Sequence, residues 1–246
     1  MIKVSYNELA KMIDHSLLVP TMSITDLEQG IDLALAYDVA SVCIMPYYLK
    51  RCSERLAGSN VRSSTTIGFP HGANTTQIKK AEALAALEDG CEELDVVINI
   101  SQALSNRWGY VQDEIGILTE LTHAAGQKIK VIFENCYLQD SHKIELCKIC
   151  SNLNVDWVKT STGYGSSGAT IEDLKLMREH TASHVQVKAA GGVKDLATLL
   201  AVHELGVSRC GTSRTKELLS AARTQLGLPP IQLDSIQANA NQNPNY

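Results

Sequence analysis

A closed barrel of eight parallel strands, each followed by a helix, is the fold class that this sequence predicts: a single α/β (β/α)8 barrel domain over residues 1–228. Three observations point to it. Eight short, largely β-branched runs are separated in most cases by helical patterns, and strands that alternate with helices imply a parallel sheet. Eight such units in a chain of 246 residues fit a closed barrel better than an open doubly wound sheet. The fingerprint of the open alternative is also misplaced. GYGSSG at 163–168 carries the letters of G-x-G-x-x-G, but it follows the sixth strand candidate and has no acidic residue at the right distance.

In chain order, MIDHSLL (12–18) supplies the first strand, ahead of a helix at about 24–37. VASVCIM (39–45) and VRSSTTIGF (61–69) follow, rich in residues suited to a pleated, buried surface. A helix from Asn74 to Gly90 opens on NTTQ, carries Ile78, Ala81, Leu84, Ala85 and Leu87, and stops at a glycine suited to a C-terminal cap. ELDVVINI (93–100), IKVIFEN (129–135) and DWVKTS (156–161) are the fourth, fifth and sixth strands. GATIEDLKLM starts a helix with Thr170 as cap, Asp173 three residues on, and Ile171, Leu174 and Met177 on one face. VQVKAA (185–190) is the seventh strand, KDLATLLAVHELG a helix that closes on Gly206, and VSRCGTS (207–213) the eighth strand.

A net charge of −5, 5% aromatic residues and no run of lysine or arginine exclude a nucleic-acid footprint and a basic membrane-binding face. A small-molecule partner is expected instead. Hydrophobic residues at 44% supply a substantial core, but no apolar run approaches the ~18 residues of a membrane span. The opening MIKVSYNELAKMIDH reaches Glu8 before any apolar stretch forms, unlike a secretory signal. Seven cysteines, an odd number scattered through apolar segments, suggest reduced thiols and a cytoplasmic location. Cys147 and Cys150 in CKIC have the spacing of a metal or redox pair, yet no second pair or histidine cluster accompanies them. They read as two thiols on one helix, and no metal site is expected.

Side chains at the C-terminal ends of barrel strands converge on one mouth, whatever their separation in sequence. Those ends read Asp14, Cys43, Gly68, Asp95, Glu134, Lys159, Lys188 and Gly211. In VDWVKTSTGYG and HVQVKAAGGV an apolar run ends on a lysine and passes into small residues and glycine. Singly, each lysine would be an exposed loop residue. Together with a carboxylate at one mouth, they suggest covalent amine chemistry. A lysine with a pKa of about 10.4 cannot attack a carbonyl until desolvation or a neighbouring cation lowers that value, and one lysine can be the other's neighbour. Asp95, on a strand buried on both faces, has little access to water, which favours function over a solvated role. The plain structural readings are a turn cap for Asp14, packing for Cys43 and hydrogen-bonded structural roles for His15 and His71. On these residues alone two other classes stay open: an isomerase or synthase using Asp95 and Glu134 without a covalent step, and a sugar-phosphate binder without catalysis.

IDHSLL, SVCIMP, IGFPHGANTTQIKKAEALAALEDG, ELDVVINI, VKTSTGYGSSGATIEDLKLMRE, VKAAGGVKD and GTSRTKELL together resemble the 2-deoxyribose-5-phosphate aldolase family over roughly residues 12 to 220. The resemblance implies a (β/α)8 barrel and a class I aldolase, free of metal and cofactor, that reversibly cleaves 2-deoxy-D-ribose 5-phosphate to glyceraldehyde 3-phosphate and acetaldehyde. It implies that Lys159 is the Schiff-base lysine, Lys188 the lysine that tunes it, and Asp95 the acid-base carboxylate. Phosphate is expected in the turns after strands six to eight, at Gly163, Gly191, Gly192, Gly211, Thr212 and Ser213. Asp14, Ser16, Cys43 and Thr162 complete the expected substrate-binding set. Tyr164 stands where some relatives carry a lysine, and Arg214 where some carry a second serine; Arg214 and Lys194 are candidates for compensating charge. A homodimer or homotetramer is expected. After Leu228 the segment PPIQLDSIQANANQNPNY, with seven asparagine or glutamine residues among eighteen, reads as a flexible polar tail over 229–246, long enough to bring Tyr246 to the mouth as a proton-transfer group.

Overall fold

The structure, a computed structural model, describes residues 4–233. Eight strands, β1 (Ile13–Leu17), β2 (Ser41–Ile44), β3 (Arg62–Ile67), β4 (Glu93–Val97), β5 (Lys128–Ile132), β6 (Trp157–Lys159), β7 (Gln186–Ala190) and β8 (Arg209–Thr212), close in sequence order. Each runs parallel to the next, and β8 returns to β1 through Asp14 opposite Gly211. This is the barrel that the alternation of strands and helices predicts. The helices of the outer ring are α1 (Tyr6–Ala10), α2 (Ile24–Tyr37), α3 (Leu49–Leu56), α4 (Thr76–Glu88), α5 (Ile100–Leu104), α6 (Trp108–Ala124), α7 (Asp140–Asn152), α8 (Ile171–His180), α9 (Leu196–Glu204) and α10 (Thr215–Gln225). The sequence reading did not delimit α1, α3, α5, α6, α7 and α10. None of these helices is long and apolar enough to cross a membrane.

Register decides what fills the barrel. Inward positions recur every second residue along a strand, and the contacts among them arrange three layers drawn from alternate strands. Ser41, Glu93, Trp157 and Arg209 form the lowest, from the even strands; Asp14, Ser64, Lys130 and Lys188 form the middle, from the odd strands; Cys43, Asp95, Lys159 and Gly211 form the upper. Branched apolar residues usually fill such layers. Here seven of the twelve positions carry charge, and the apolar core lies outside, between strands and helices. Asp14, Asp95 and Lys188 therefore sit within their strands and not at the ends, and Asp14 and Lys188 lie one layer deeper than a reading of strand ends places them.

The helix after β3 also differs from its expected face. Ile78 and Leu84, read as core residues, are exposed, and the inward face of α4 carries Lys79, Ala83 and Ala86. A lysine can point inward because its amine is taken up twice: Nζ donates to the Val97 carbonyl at 2.7 Å and to Glu114 of α6 at 2.9 Å. Glu114 also accepts from the Asn99 backbone amide at 3.0 Å, so the pair ties two helices to the end of β4. Burial outweighs the mutual attraction in both partners, holding the Glu114 carboxyl above and the Lys79 amine below their ordinary pKa ranges.

Residues 229–233 pack on the barrel, with the Pro229 carbonyl accepting from Arg223 at 2.8 Å and Ile231 and Leu233 half-buried against the core. The packed chain thus runs past the expected boundary at 228. The remainder of the expected tail, including Tyr246, lies outside the described residues. Removing one member of the Lys79–Glu114 pair strands a buried charge. Lys79→Met is expected to lower stability in urea by about 3–5 kcal/mol, and adding Glu114→Leu to recover a substantial part of that loss. A double variant no more stable than the single one would show that the pair's charges are not the cause.

Candidate active site

Lys159 is the last residue of β6 and Lys188 the middle residue of β7, paired in register, so the backbone itself sets the two amines side by side. Both converge on Asp95 of β4. Lys159 Nζ donates to Asp95 Oδ2 at 2.6 Å, and Lys188 Nζ donates to the same oxygen at 2.7 Å. Lys188 Nζ also lies 2.6 Å from Asp14 Oδ2. Beneath them Lys130 Nζ sits among three carboxylates, 2.5 Å from Glu93, 3.0 Å from Asp95 and 3.2 Å from Asp14. Arg209 closes the base, with Nη1 2.5 Å from Asp14 and a two-pronged pair with Glu93 at 3.0 and 2.9 Å.

Four cationic side chains therefore face three carboxylates, and all but Arg209 are buried. Asp14 and Asp95 are held well below the usual carboxylate range: burial pushes each up, but Lys130 and its neighbouring cations outweigh it. Lys130 and Lys188 are held above the ordinary lysine value, because Asp14 and Asp95 overcome the effect of burial. Lys159 goes the other way. Burial pushes its amine down, Asp95 opposes this, and the Lys188 ammonium adds to the fall. The surplus cation of the cluster is thus the one lysine that yields its proton most readily.

Above this cluster opens a cavity of about 470 Å³ with Lys159 and Lys188 in its lining. The ten residues expected to bind substrate, Asp14, Ser16, Cys43, Thr162, Gly163, Gly191, Gly192, Gly211, Thr212 and Ser213, all line it, as do Lys194 and Arg214. Asp95 does not; it lies under the floor, fully buried. Gly191 and Gly192 have φ of +68° and +80°, and a Cβ on Gly192 would come within 2.6 Å of the Ala169 carbonyl oxygen, so that turn requires glycine. Arg214 and Lys194 are joined, with Arg214 Nη1 donating to the Lys194 carbonyl at 3.1 Å, which sets both cations on the rim of the β7 and β8 turns. Small backbone-exposing turns flanked by cations form a site suited to a phosphate.

Other expectations are corrected. Asp14 is no turn cap; it carries part of the interior charge. Glu134 does not share the cavity with Lys159. It adopts a left-handed backbone conformation at φ +60°, and its carboxylate accepts from the Thr162 hydroxyl and backbone amide, bracing the turn after β6. An acid-base pair of Asp95 and Glu134 on one substrate is therefore not what the fold assembles. His15 faces Thr215 of α10 at 2.8 Å, and burial lowers its pKa to about 4, a structural role as read. Cys147 and Cys150 are buried and, like the other five cysteines, free. Among the described residues no group of three His, Cys, Asp or Glu is placed to hold a metal ion. Lys130, Glu93 and Arg209 were missed, although a lysine interrupting the β-branched alternation of IKVIFEN is a signal that the period-two pattern points inward.

The family model of the DeoC/LacD aldolases matches residues 8–207. The chain belongs to this aldolase family. It is 70% identical over 228 residues to the deoxyribose-phosphate aldolase of Rhodopirellula baltica, covering 93% of this chain and 95% of that one. It is 41% identical to the deoxyribose-phosphate aldolase of Thermococcus gammatolerans over 88% of this chain and 97% of the other. Among solved structures, the tetrameric deoxyribose phosphate aldolase of Aeropyrum pernix superposes with a TM-score of 0.83 at 27% identity, covering 90% of this chain and 93% of that chain. In this family member the cavity meets the interior charge at Asp14, Lys159 and Lys188.

The interior charge also has a stability signature. Asp95 is depressed in the folded state, so its contribution is complete above the unfolded carboxylate pKa of about 3.9 and is lost as pH falls toward the folded value. Asp95→Asn is expected to cost about 3–5 kcal/mol at pH 7, because three lysines lose a partner. Urea unfolding between pH 6 and 3 should then fall less steeply in the variant than in the unaltered protein. Parallel slopes would mean that the Asp95 pKa does not fall on folding.

Proposed function

We infer that this aldolase reversibly cleaves 2-deoxy-D-ribose 5-phosphate to D-glyceraldehyde 3-phosphate and acetaldehyde, with Lys159 as the Schiff-base nucleophile. The observation that carries the reading is the surplus cation. Lys130, Lys188 and Arg209 match the charges of Asp14, Glu93 and Asp95, so a neutral Lys159 leaves the cluster balanced. A neutral amine on the floor of a cavity is what addition to an aldehyde needs.

The open-chain sugar lies with its phosphate against the turns after β6, β7 and β8 and its aldehyde carbon at Lys159 Nζ. Addition gives a carbinolamine, and loss of water gives an iminium. The bond between C2 and C3 then breaks as the C3 hydroxyl gives up its proton and becomes the carbonyl of glyceraldehyde 3-phosphate. The bonding pair passes to C2, forming an enamine with the former iminium. A proton returned to C2 restores an iminium, which water hydrolyses to acetaldehyde and free lysine. The iminium is the electron sink, so this scheme uses neither metal nor organic cofactor. Lys188 holds Lys159 neutral, and Asp95, below the floor, relays protons through a water. The positive iminium restores the surplus charge, so the same network that favours a neutral amine limits the lifetime of the adduct.

The free thiols support a reducing, cytoplasmic setting. Ile78 and Leu84 on α4 and Ile117 on α6 leave apolar surface outside, which supports assembly as a homodimer or homotetramer. Light scattering should return a multiple of 26.7 kDa; a monomer would exclude it.

Borohydride added with acetaldehyde is expected to leave an ethyl group on Lys159, read on the peptide that carries it. An adduct on Lys188 or Lys130 would reverse the assignment. Lys159→Arg should abolish turnover, since a guanidinium stays protonated and forms no imine. Lys188→Leu removes the surplus and makes Lys159 the needed third cation. Activity should fall by a factor on the order of a hundred or more near pH 7 and recover in part above pH 9, as expected when the nucleophile's pKa rises. Full activity with an unchanged pH profile would exclude the tuning role.

A further inference from the structure

Tyr164, at the turn after β6, spans the barrel mouth. Its phenol donates to the Leu18 carbonyl, in the turn after β1, at 2.7 Å. The ring meets Phe69, in the turn after β3, edge to face at 5.4 Å between centroids, and the Tyr164 amide is fixed to Thr162 Oγ1 at 3.0 Å. In the closed order of strands the turns of β7 and β8 lie on one side of the line from β6 to β1, and those of β2 to β5 lie on the other. The bridge is thus a crossbar. The 470 Å³ cavity with both lysines and the glycine turns occupies the β7 and β8 side. Two further clefts, of about 370 and 350 Å³, occupy the other side, and Tyr164 lines all three.

The flanking clefts differ in chemistry from the cavity. Ile100, Leu104 and Tyr137 stand in one, and Met45, Tyr47 and Phe69 in the other. Neither contains a lysine or arginine, so neither suits a phosphate. One contains Glu134 and the other Glu82, but apolar surface predominates in each, which suits an alkyl chain. The partition is thin: Leu18 and Pro20 border both the cavity and one cleft, Thr162 borders the cavity and the other, and only the Tyr164 ring is common to all. Tyr164 is itself 48% exposed, so nothing packs over the crossbar among the described residues.

We propose that Tyr164 is a specificity-determining residue, a wall that confines the chain of the aldehyde carried on Lys159 to the β7 and β8 side of the mouth by closing the cavity against two apolar clefts suited to an unphosphorylated alkyl chain. The inference rests on the Schiff-base reading above. Each methylene that gains apolar cover is worth about four-fold in an equilibrium or rate ratio, so a few methylenes reaching a cleft suffice for a change of ten-fold or more.

The test is competitive trapping. Acetaldehyde and hexanal at equal concentration are reduced onto the protein with borohydride, and the ratio of hexyl to ethyl adducts on Lys159 is read by mass spectrometry. Y164A is expected to raise that ratio by about ten-fold or more, and Y164F, which keeps the ring but loses the Leu18 bond, by a smaller factor. F69A, which removes the ring that Tyr164 leans on, should move the ratio in the same direction and serves if Y164A does not fold. Adducts forming on Lys159 with an unchanged or lower hexyl-to-ethyl ratio in the folded variants would overturn the proposal alone. No adduct on Lys159 with either aldehyde in the unaltered protein would overturn the Schiff-base reading, and this proposal with it.

Discussion

An excess of one positive charge inside a closed barrel is the constraint from which the rest follows. Lys130, Lys159, Lys188 and Arg209 share Asp14, Glu93 and Asp95 in the barrel interior. Burying an unmatched charge costs several kcal/mol even after relaxation, and the cheapest relief is to release a proton. The number of carboxylate contacts decides which group does so. Lys159 and Lys188 both border the cavity, but Lys130 touches three carboxylates and Lys188 two, whereas Lys159 touches one. On the proposed reading, the nucleophile is defined by what it lacks. Arginine at 209 reinforces the effect, because a guanidinium does not deprotonate in proteins and cannot share the burden.

That arrangement needs a rigid frame, and the barrel provides one. Alternate strands place their inward residues in staggered layers, so carboxylates from β1 and β4 interleave with lysines from β5, β6 and β7 without help from the turns. The turns are left free for binding. Glu134 braces the turn after β6, Gly191 and Gly192 give the turn after β7 a backbone path that other residues cannot follow, and Tyr164 divides the mouth. On the proposed reading, reaction chemistry resides in the strands and substrate selection in the turns.

Legibility in the sequence followed the range of the interactions. Strand and helix alternation is local, and all eight strands were readable from it. Helix α4 shows where local reading stops. Its isoleucine and leucine looked like the buried face, yet Lys79 is buried and they are exposed, because the partner that makes a buried lysine tolerable, Glu114, is far along the chain. Lys130 was hidden for the same reason. Within its own strand it looks like a lapse in alternation, and only Asp14, Glu93 and Asp95 on other strands make it a member of the site.

The sequence by itself determined the architecture, the family pattern and the positions at which lysines and glycines end or follow strands, since these depend on neighbours a few residues apart. Only the tertiary structure decided that Asp95 lies below the cavity floor, that Glu134 supports a turn instead of facing substrate, and that the Tyr164 phenol reaches Leu18 across the mouth. The physical reason is closure. Strand register and the stagger of a closed sheet fix which distant side chains share one layer, and Coulomb energies in a dry interior depend on those separations and not on distance along the chain.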